Sequence, residues 1–277
     1  EHAESAEVSL KDSFQPLFCV FLCVLCALRG EWRTVLRNIK LILEYDGTEY
    51  HGWQVQPELR TIQGAVEESL GRLLQEKVAV VSAGRTDAGV HALGHAANFQ
   101  TSSGLPPERI GKGLNGFLPD DIAVREVEEA PLSFHARFDA RSRRYRYRIG
   151  RRRRAIERRL LWVVHEKLDV ARMQEASNCL IGAHDFTSFC AANTESETRI
   201  CEVSECRWTQ EDEETRLEIE ANRFLHNMVR VIVGTMVDVG RGKLAPGEVA
   251  RILQVKDRRK AGRTAPARGL CLVRVNY

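Results

Sequence analysis

Apolar and polar residues alternate from Ile39 to Tyr45, and Asp46-Gly47 follow as a turn signal, so the chain from Asn38 opens with a strand. Ile62, Val66, Leu70 and Leu73 then recur at helical spacing, which predicts an amphipathic helix over 62–75. Val78–Val81 reads as a short strand, His95–Phe99 as the next, Pro106–Phe117 as a helix and Ile122–Val127 as a strand. In Arg143–Ile149 the alternation is strict. Tyr145, Tyr147 and Ile149 share one face of a strand, and Arg144, Arg146 and Arg148 share the other.

The second half repeats the theme. Val170, Met173, Ala176 and Leu180 mark a helix with Asp169 as its N-cap. Glu202–Trp208 and Arg216–Ala221 are strands, and His226–Val239 is a nearly all-apolar helix stopped at Gly240. Pro246–Gln254 is a further helix, and Cys271–Val275 closes the chain as a strand. Strand and helix units recur in each half with strand-to-strand turns between them. The pattern predicts an α+β protein of two related halves, 37–142 and 143–277, each packing helices on one face of a mostly antiparallel sheet.

Composition adds little until charge is mapped. The 277 residues are 43% hydrophobic and 29% charged, ordinary for a soluble globular chain. Net charge is only +3, yet residues 141–159 hold eleven arginines and one acid, Glu157, leaving the rest of the chain at −7. A basic stripe on a mildly acidic protein points to a local polyanion site. The eight cysteines show no disulfide framework and read as reduced, which favours an intracellular compartment. Leu17–Leu28 is apolar but too short to span a membrane, and the acids before it do not suit a signal peptide. Residues 1–36 read as an extension unrelated to function, and its Cys23/Cys26 pair lacks the second pair a zinc site needs.

Two features carry candidate chemistry. Gly84 and Gly89 bracket Asp87 in Gly84-Arg85-Thr86-Asp87-Ala88-Gly89, a loop suited to presenting a carboxylate. Alone, that aspartate equally fits a structural turn cap. Arg230 interrupts the apolar helix, so it must either snorkel to an edge or pair with an acid. Pairing with Asp87 would favour the charged carboxylate. The second feature is the Tyr145/Tyr147 strand. Aromatics among arginines match a nucleic-acid surface, with cations for phosphates and rings for bases. Asp87, His91 and His95 recur at intervals of four, but Gly84, Gly89 and Gly94 argue against the helix that would bring them onto one metal. No phosphate loop, dinucleotide fingerprint, zinc-protease motif or nucleophile elbow is present.

Several segments together resemble the TruA-type tRNA pseudouridine synthase family. They are Tyr45-Asp46-Gly47-Thr48, Gly52-Trp53-Gln54-Val55-Gln56, Gly84–Ala92, Phe134–Phe138, Arg144-Tyr145-Arg146-Tyr147, Asp185–Phe189, Asn222–Gly234 and Thr264–Leu270. They run in the family's order across about residues 38–277. The resemblance implies two ferredoxin-like (RRM-like) halves whose sheets join across a central cleft. It implies a homodimer that isomerises uridine to pseudouridine at positions 38 to 40 of the tRNA anticodon stem-loop. Asp87 matches the nucleophile, Arg85 an arginine that helps extrude the base, Tyr145 the tyrosine packed on that base, and Arg230 the basic partner of the aspartate. Phe134, His135, Ala136, Arg137 and Phe138 match an RNA-contacting segment, and Arg144 and Arg146 flank Tyr145 in the expected RNA surface. No cofactor or metal is implied, and the location is cytoplasmic. Departures are the arginine-rich loop Gly150–Ile156, the acids Glu195 and Glu197 in a region that touches tRNA in the family, and the unmatched residues 1–36. Two rival expectations are a non-catalytic RRM-like RNA-binding protein and a metal-dependent hydrolase built on Asp87, His91 and His95.

Overall fold

The computed structural model describes residues 35–192 and 198–277. The apolar run Leu17–Leu28, the Cys23/Cys26 pair and the acids Glu195 and Glu197 lie outside the described residues. The first strand, β1 (Arg37–Tyr45), is followed by α1 (Ile62–Leu74), β2 (Val81–Ser82), β3 (His91–Thr101), α2 (Pro107–Phe117) and β4 (Ile122–Ala130). Then come β5 (Ser142–Gly150), β6 (Trp162–Val163), α3 (Val170–Ser177), β7 (Gly182–Asp185), β8 (Ile200–Glu211) and β9 (Glu214–Ala221). Helices α4 (Met228–Gly240) and α5 (Glu248–Val255) precede the last strand, β10 (Leu270–Asn276).

The expected elements are present, with instructive shifts. Asp169 does cap α3, accepting a hydrogen bond from the Arg172 N–H at 3.0 Å, but the α-helix ends at Ser177 and Asn178–Leu180 tightens into a 3₁₀ turn. Helix α4 starts at Met228 rather than His226, because Asn227 adopts a left-handed backbone with φ 63°. Strand β3 runs longer than the apolar stretch suggested, since its partner β1 pairs with it from Tyr45 back to Arg37. The short strands β6 and β7 have too few residues to show a period.

All ten strands belong to one sheet with the order β4-β1-β3-β10-β5-β9-β8-β7, β2 pairing with β3 and β6 with β5. Pairing is antiparallel except for β10 with β3 and β5 with β6. The last strand therefore sits in the middle of the sheet and joins β3 of the first half to β5 of the second. One apolar cluster packs Ile39, Leu41 and Leu43 of β1 against Ile62, Val66 and Leu70 of α1 and Ile110 and Leu114 of α2. The other packs Tyr147, Ile149, Leu217 and Ile219 under α3, α4 and α5. Leu270 belongs to the second cluster and Leu272 to the first. Two residues apart on a strand, they point to the same face, so both helical layers cover one side of the sheet. Tyr145 packs on both clusters and thus marks the seam between them.

The uncovered side of β5 carries Arg144, Arg146 and Arg148. Arg144 lies opposite Glu220 of β9 and Arg146 opposite Glu218, with N–O distances of 2.7 and 2.5 Å. Arg148 reaches Glu214 at 2.8 Å and Glu157 at 2.7 Å. Burial would raise the pKa of Glu214, but hydrogen bonds and charge from Arg148 and Arg216 outweigh it and lower it to about 2.

Candidate active site

Asp87 lies in the loop between β2 and β3, with its side chain 22% exposed. The loop is pinned on several sides. The Trp53 N–H donates to the Thr86 carbonyl at 3.0 Å, the Gly89 N–H to the Tyr50 carbonyl at 3.3 Å, and the Val90 N–H to the Asp87 carbonyl at 3.1 Å. Of the two bracketing glycines only Gly89 is needed for its backbone, at φ 76°. Gly84 has no positive φ, and a Cβ there would meet nothing within 4 Å.

Helix α4 brings the cation. Its core-facing valines, Ile232 and Met236 bury it, so its first turn is fixed against the sheet. From that turn the Arg230 Nη1 donates to Asp87 Oδ2 at 3.1 Å and to Asn227 Oδ1 at 2.7 Å. Its Nε donates to the Ala265 carbonyl at 2.8 Å, and the Ala265 N–H returns a bond to the Arg230 carbonyl at 3.0 Å. The side chain is 18% exposed and is held by two further bonds, to Asn227 and to the Ala265 carbonyl, besides its contact with the carboxylate. The alternative of a snorkelling surface arginine is therefore not what the structure contains. His226 stands one residue before the helix cap, with Nε2 3.7 Å from Asp87 Oδ1. The positive end of α4 lies on the same side and adds to the attraction for an anion.

Tyr145 is half-buried beside this group. Burial, and then the charge of Asp87, push its hydroxyl well above the ordinary tyrosine pKa, so it stays neutral. Phe224 meets the Tyr145 ring edge-on, with centroids 5.2 Å apart. Arg143, on the same side of β5, binds four carbonyls. Nη2 reaches Ala83 at 2.7 Å and Arg137 at 3.0 Å; Nη1 reaches Asn222 at 2.8 Å and Ala140 at 3.0 Å. One guanidinium thus ties together the Asp87 loop, the 134–140 segment and the loop leading to His226. Burial pulls its pKa below arginine's ordinary value.

The remaining candidates divide. Arg85 is exposed on the Asp87 loop. In the 134–138 segment, Ala136 is fully buried and its N–H donates to Asn98 Oδ1 at 2.9 Å. Phe134 packs on Tyr277 at 5.0 Å, and His135 Nδ1 accepts from the Arg137 and Phe138 N–H groups. Arg137 and Phe138 point outward, Phe138 being 74% exposed. Arg144 and Arg146 are not brought to Asp87, because they occupy the other side of β5. Asp87, His91 and His95 do not converge either. His91 Nδ1 faces Asp46 at 3.1 Å and its Nε2 the Arg159 carbonyl at 2.9 Å, while His95 is fully buried. No group of three metal-binding side chains occurs among the described residues.

The family model described as tRNA pseudouridine synthase matches residues 41–139 and 176–277. The chain belongs to this family. A curated relative named tRNA pseudouridine synthase A from Acetivibrio thermocellus is 45% identical over 244 residues, covering 87% of this chain and 100% of the relative. Relatives of the same name from Caldicellulosiruptor bescii and Geobacter sp. (strain M21) are each 47% identical, over 87% of this chain and 100% and 99% of their own lengths. Synthases of this family are isomerases. The matched segments contain Arg85, Asp87, Phe134–Phe138 and Arg230, whereas Tyr145 lies between them.

Sequence reasoning passed over Arg143, Phe224, His226 and Asn227. Arg143 carried a readable signal, since the alternation of β5 puts it on the tyrosine face as that face's one cation. Phe224, His226 and Asn227 lie in the Asn222–Gly234 segment that carries the resemblance, but nothing in the pattern singles them out, since the left-handed turn at Asn227 is not written in the periodicity.

Proposed function

We propose that the protein isomerises uridine to pseudouridine at positions 38 to 40 of the tRNA anticodon stem-loop, with Asp87 as the nucleophile. The observation that carries this reading is the Arg230–Asp87 contact at 3.1 Å, beside the neutral Tyr145 ring, in a synthase-family chain.

The target base leaves its stack at a cost of about a few kcal/mol, offset by contacts in the pocket. Tyr145, backed edge-on by Phe224, offers the base a flat apolar partner, and Arg85 on the exposed loop assists extrusion. The Asp87 carboxylate attacks C6 of the uracil or C1′ of the ribose, splitting one hard step into easier ones. The bond between N1 and C1′ breaks, the uracil turns, and C5 bonds to C1′. On the C1′ route this last bond displaces the carboxylate. On either route the C5 proton then leaves to water and its electron pair restores the ring double bond, expelling the carboxylate where it sits on C6. N1 ends with a proton taken up from solvent. Arg230 stabilises the carboxylate before attack and after release, and its bonds to Asn227 and the Ala265 carbonyl keep it from following the substrate. Arg137 and Phe138 face outward where RNA would approach.

The same reading makes 37–142 and 143–277 the two halves and gives 1–36 no part in catalysis. It makes the enzyme a cytoplasmic homodimer with tRNA across both subunits. No helix among the described residues is long and apolar enough to cross a membrane. The test is tritium release from tRNA labelled at uridine C5, with pseudouridine mapping of the product. Wild type is expected to release tritium at positions 38 to 40, and Asp87→Asn to release none while binding tRNA with about the same affinity. Tight binding by wild type without release would leave an RNA-binding protein and defeat the proposal.

A further inference from the structure

Thr86 stands immediately before Asp87 and is buried. Its carbonyl accepts the Trp53 N–H, and its hydroxyl lies 2.9 Å from the Tyr45 hydroxyl. The Tyr45 oxygen lies in turn 2.6 Å from Nδ1 of His95. The His95 ring is stacked on Trp53 with centroids 4.1 Å apart, and its Nε2 is buried without a hydrogen bond of good geometry. Gly52 makes the approach possible. Its φ is 90°, and a Cβ there would sit 2.7 Å from the Thr86 carbonyl oxygen. Three segments, the end of β1, the Asp87 loop and β3, thus meet through one short polar relay inside an apolar cluster.

Packing alone does not call for this relay. Phenylalanine at 45 and valine at 86 would fill the same volume without burying a polar atom. Buried polar groups cost stability unless bonded, and His95 Nε2 makes no hydrogen bond of good geometry, the ring having only a weak interaction with the Gly84 backbone. What the relay supplies is direction, because a hydrogen bond fixes the Thr86 rotamer where apolar contact would not. Burial also lowers the His95 pKa to about 3, so the ring stays neutral and the alignment holds across the neutral range.

We propose that Tyr45, oriented by His95, is a positioning residue that fixes Thr86 and thereby the direction of the Asp87 carboxylate. The proposal rests on the reading of Asp87 as the nucleophile. It is tested by steady-state tritium release from C5-labelled tRNA with Tyr45→Phe, Thr86→Val and Thr86→Ser, each melted in parallel. Tyr45→Phe and Thr86→Val are expected to lower kcat by about 10- to 100-fold with KM for tRNA close to wild type, as misplacement of a reacting group does. Thr86→Val, which leaves the Tyr45–His95 bond in place, keeps Tm close to wild type, whereas Tyr45→Phe strands His95 Nδ1 and the Thr86 hydroxyl and lowers it. Thr86→Ser, which keeps the hydroxyl, is expected to recover kcat to within about three-fold. Wild-type kcat in Tyr45→Phe and Thr86→Val, alongside an inactive Asp87→Asn, would overturn the positioning role alone. An active Asp87→Asn would overturn both readings.

Discussion

The two sides of β5 treat arginine in opposite ways. On the uncovered side Arg144, Arg146 and Arg148 each meet glutamates of the neighbouring strands, and Glu205, Glu218, Glu220 and Glu214 cancel what the sequence shows as a run of positive charge. On the tyrosine side Arg143 meets four carbonyl oxygens, and Arg230 of α4 meets one carboxylate, one amide and one carbonyl. Among the described residues, six of the eleven arginines in 141–159 pair with acids, so the density of arginine in a sequence overstates the charge a partner would feel. A guanidinium spent on a local carboxylate serves the sheet. One held by neutral carbonyls keeps its charge for whatever approaches.

Removing Arg230 should give the largest contrast. Arg230→Ala is expected to lower kcat by roughly 100- to 1,000-fold with a much smaller change in tRNA affinity, as loss of a pre-organised charge partner does. Arg230→Lys should restore only part, since an ammonium cannot reach Asp87, Asn227 and Ala265 from one fixed plane. Equal losses in kcat and in affinity, read from single-turnover rates and filter binding, would place Arg230 in RNA binding instead.

Arg143→Lys comes next. It keeps the charge and loses the fork, so the carbonyls of Ala83, Arg137, Ala140 and Asn222 can no longer share one donor group. About 1–3 kcal/mol of stability and about ten-fold in kcat are expected to be lost together, because half-buried acceptors are left unmade and the Asp87 loop loses an anchor. Urea midpoints and tritium release measure the two. Lost stability with unchanged kcat would make Arg143 a sheet residue like Arg144.

How much of this was legible beforehand follows from the same contrast. Periodicity located the longer elements within a few residues, because a strand or helix with one buried face writes that face into the chain. It also separated the tyrosines of β5 from Arg144, Arg146 and Arg148. The apolar surroundings of Arg230 left it an edge or an acid partner, and the structure holds the partner. What periodicity could not show was which glutamates lie across from Arg144 and Arg146, since that register is set by strands some seventy residues away. It also gave Gly84 a conformational duty the backbone does not impose, while the glycine that accommodates Thr86, Gly52, lies in another segment. His95 read as a possible ligand by spacing and is instead a buried partner of Tyr45.

That burial makes a smaller, pH-dependent prediction. His95 has its pKa lowered in the folded state to about 3, against 6.5 when exposed, so the unfolded chain binds the extra proton in between. Stability from this group is full above pH 6.5 and declines as pH falls toward 3. Between pH 7 and pH 5 the wild type should lose about 2 kcal/mol that His95→Gln does not lose, read from urea unfolding at the two pH values. Parallel pH profiles for the two proteins would mean that the ring is charged inside the fold, and the neutral relay through Tyr45 would fail with it.

The smallest effect belongs to the neutralised side of β5. Replacing Arg144 and Arg146 together with alanine removes two positive charges, yet it also frees glutamates that the arginines had cancelled. Glu220 keeps its bonds from the Ser142 hydroxyl at 2.6 Å and the Asn276 amide at 2.9 Å, so it is not stranded. The expected cost is about 1 kcal/mol of stability, within the range of partly exposed ion pairs, and little change in the salt dependence of tRNA binding. Arg151 and Arg153 provide the control. Both are exposed, and neither meets a carboxylate among the described residues. If they touch phosphate, replacing both should flatten the plot of log affinity against log salt by about 0.7–0.9 per contact. A steeper loss from the Arg144/Arg146 pair than from the Arg151/Arg153 pair would show that tRNA displaces the glutamates and uses the uncovered face after all.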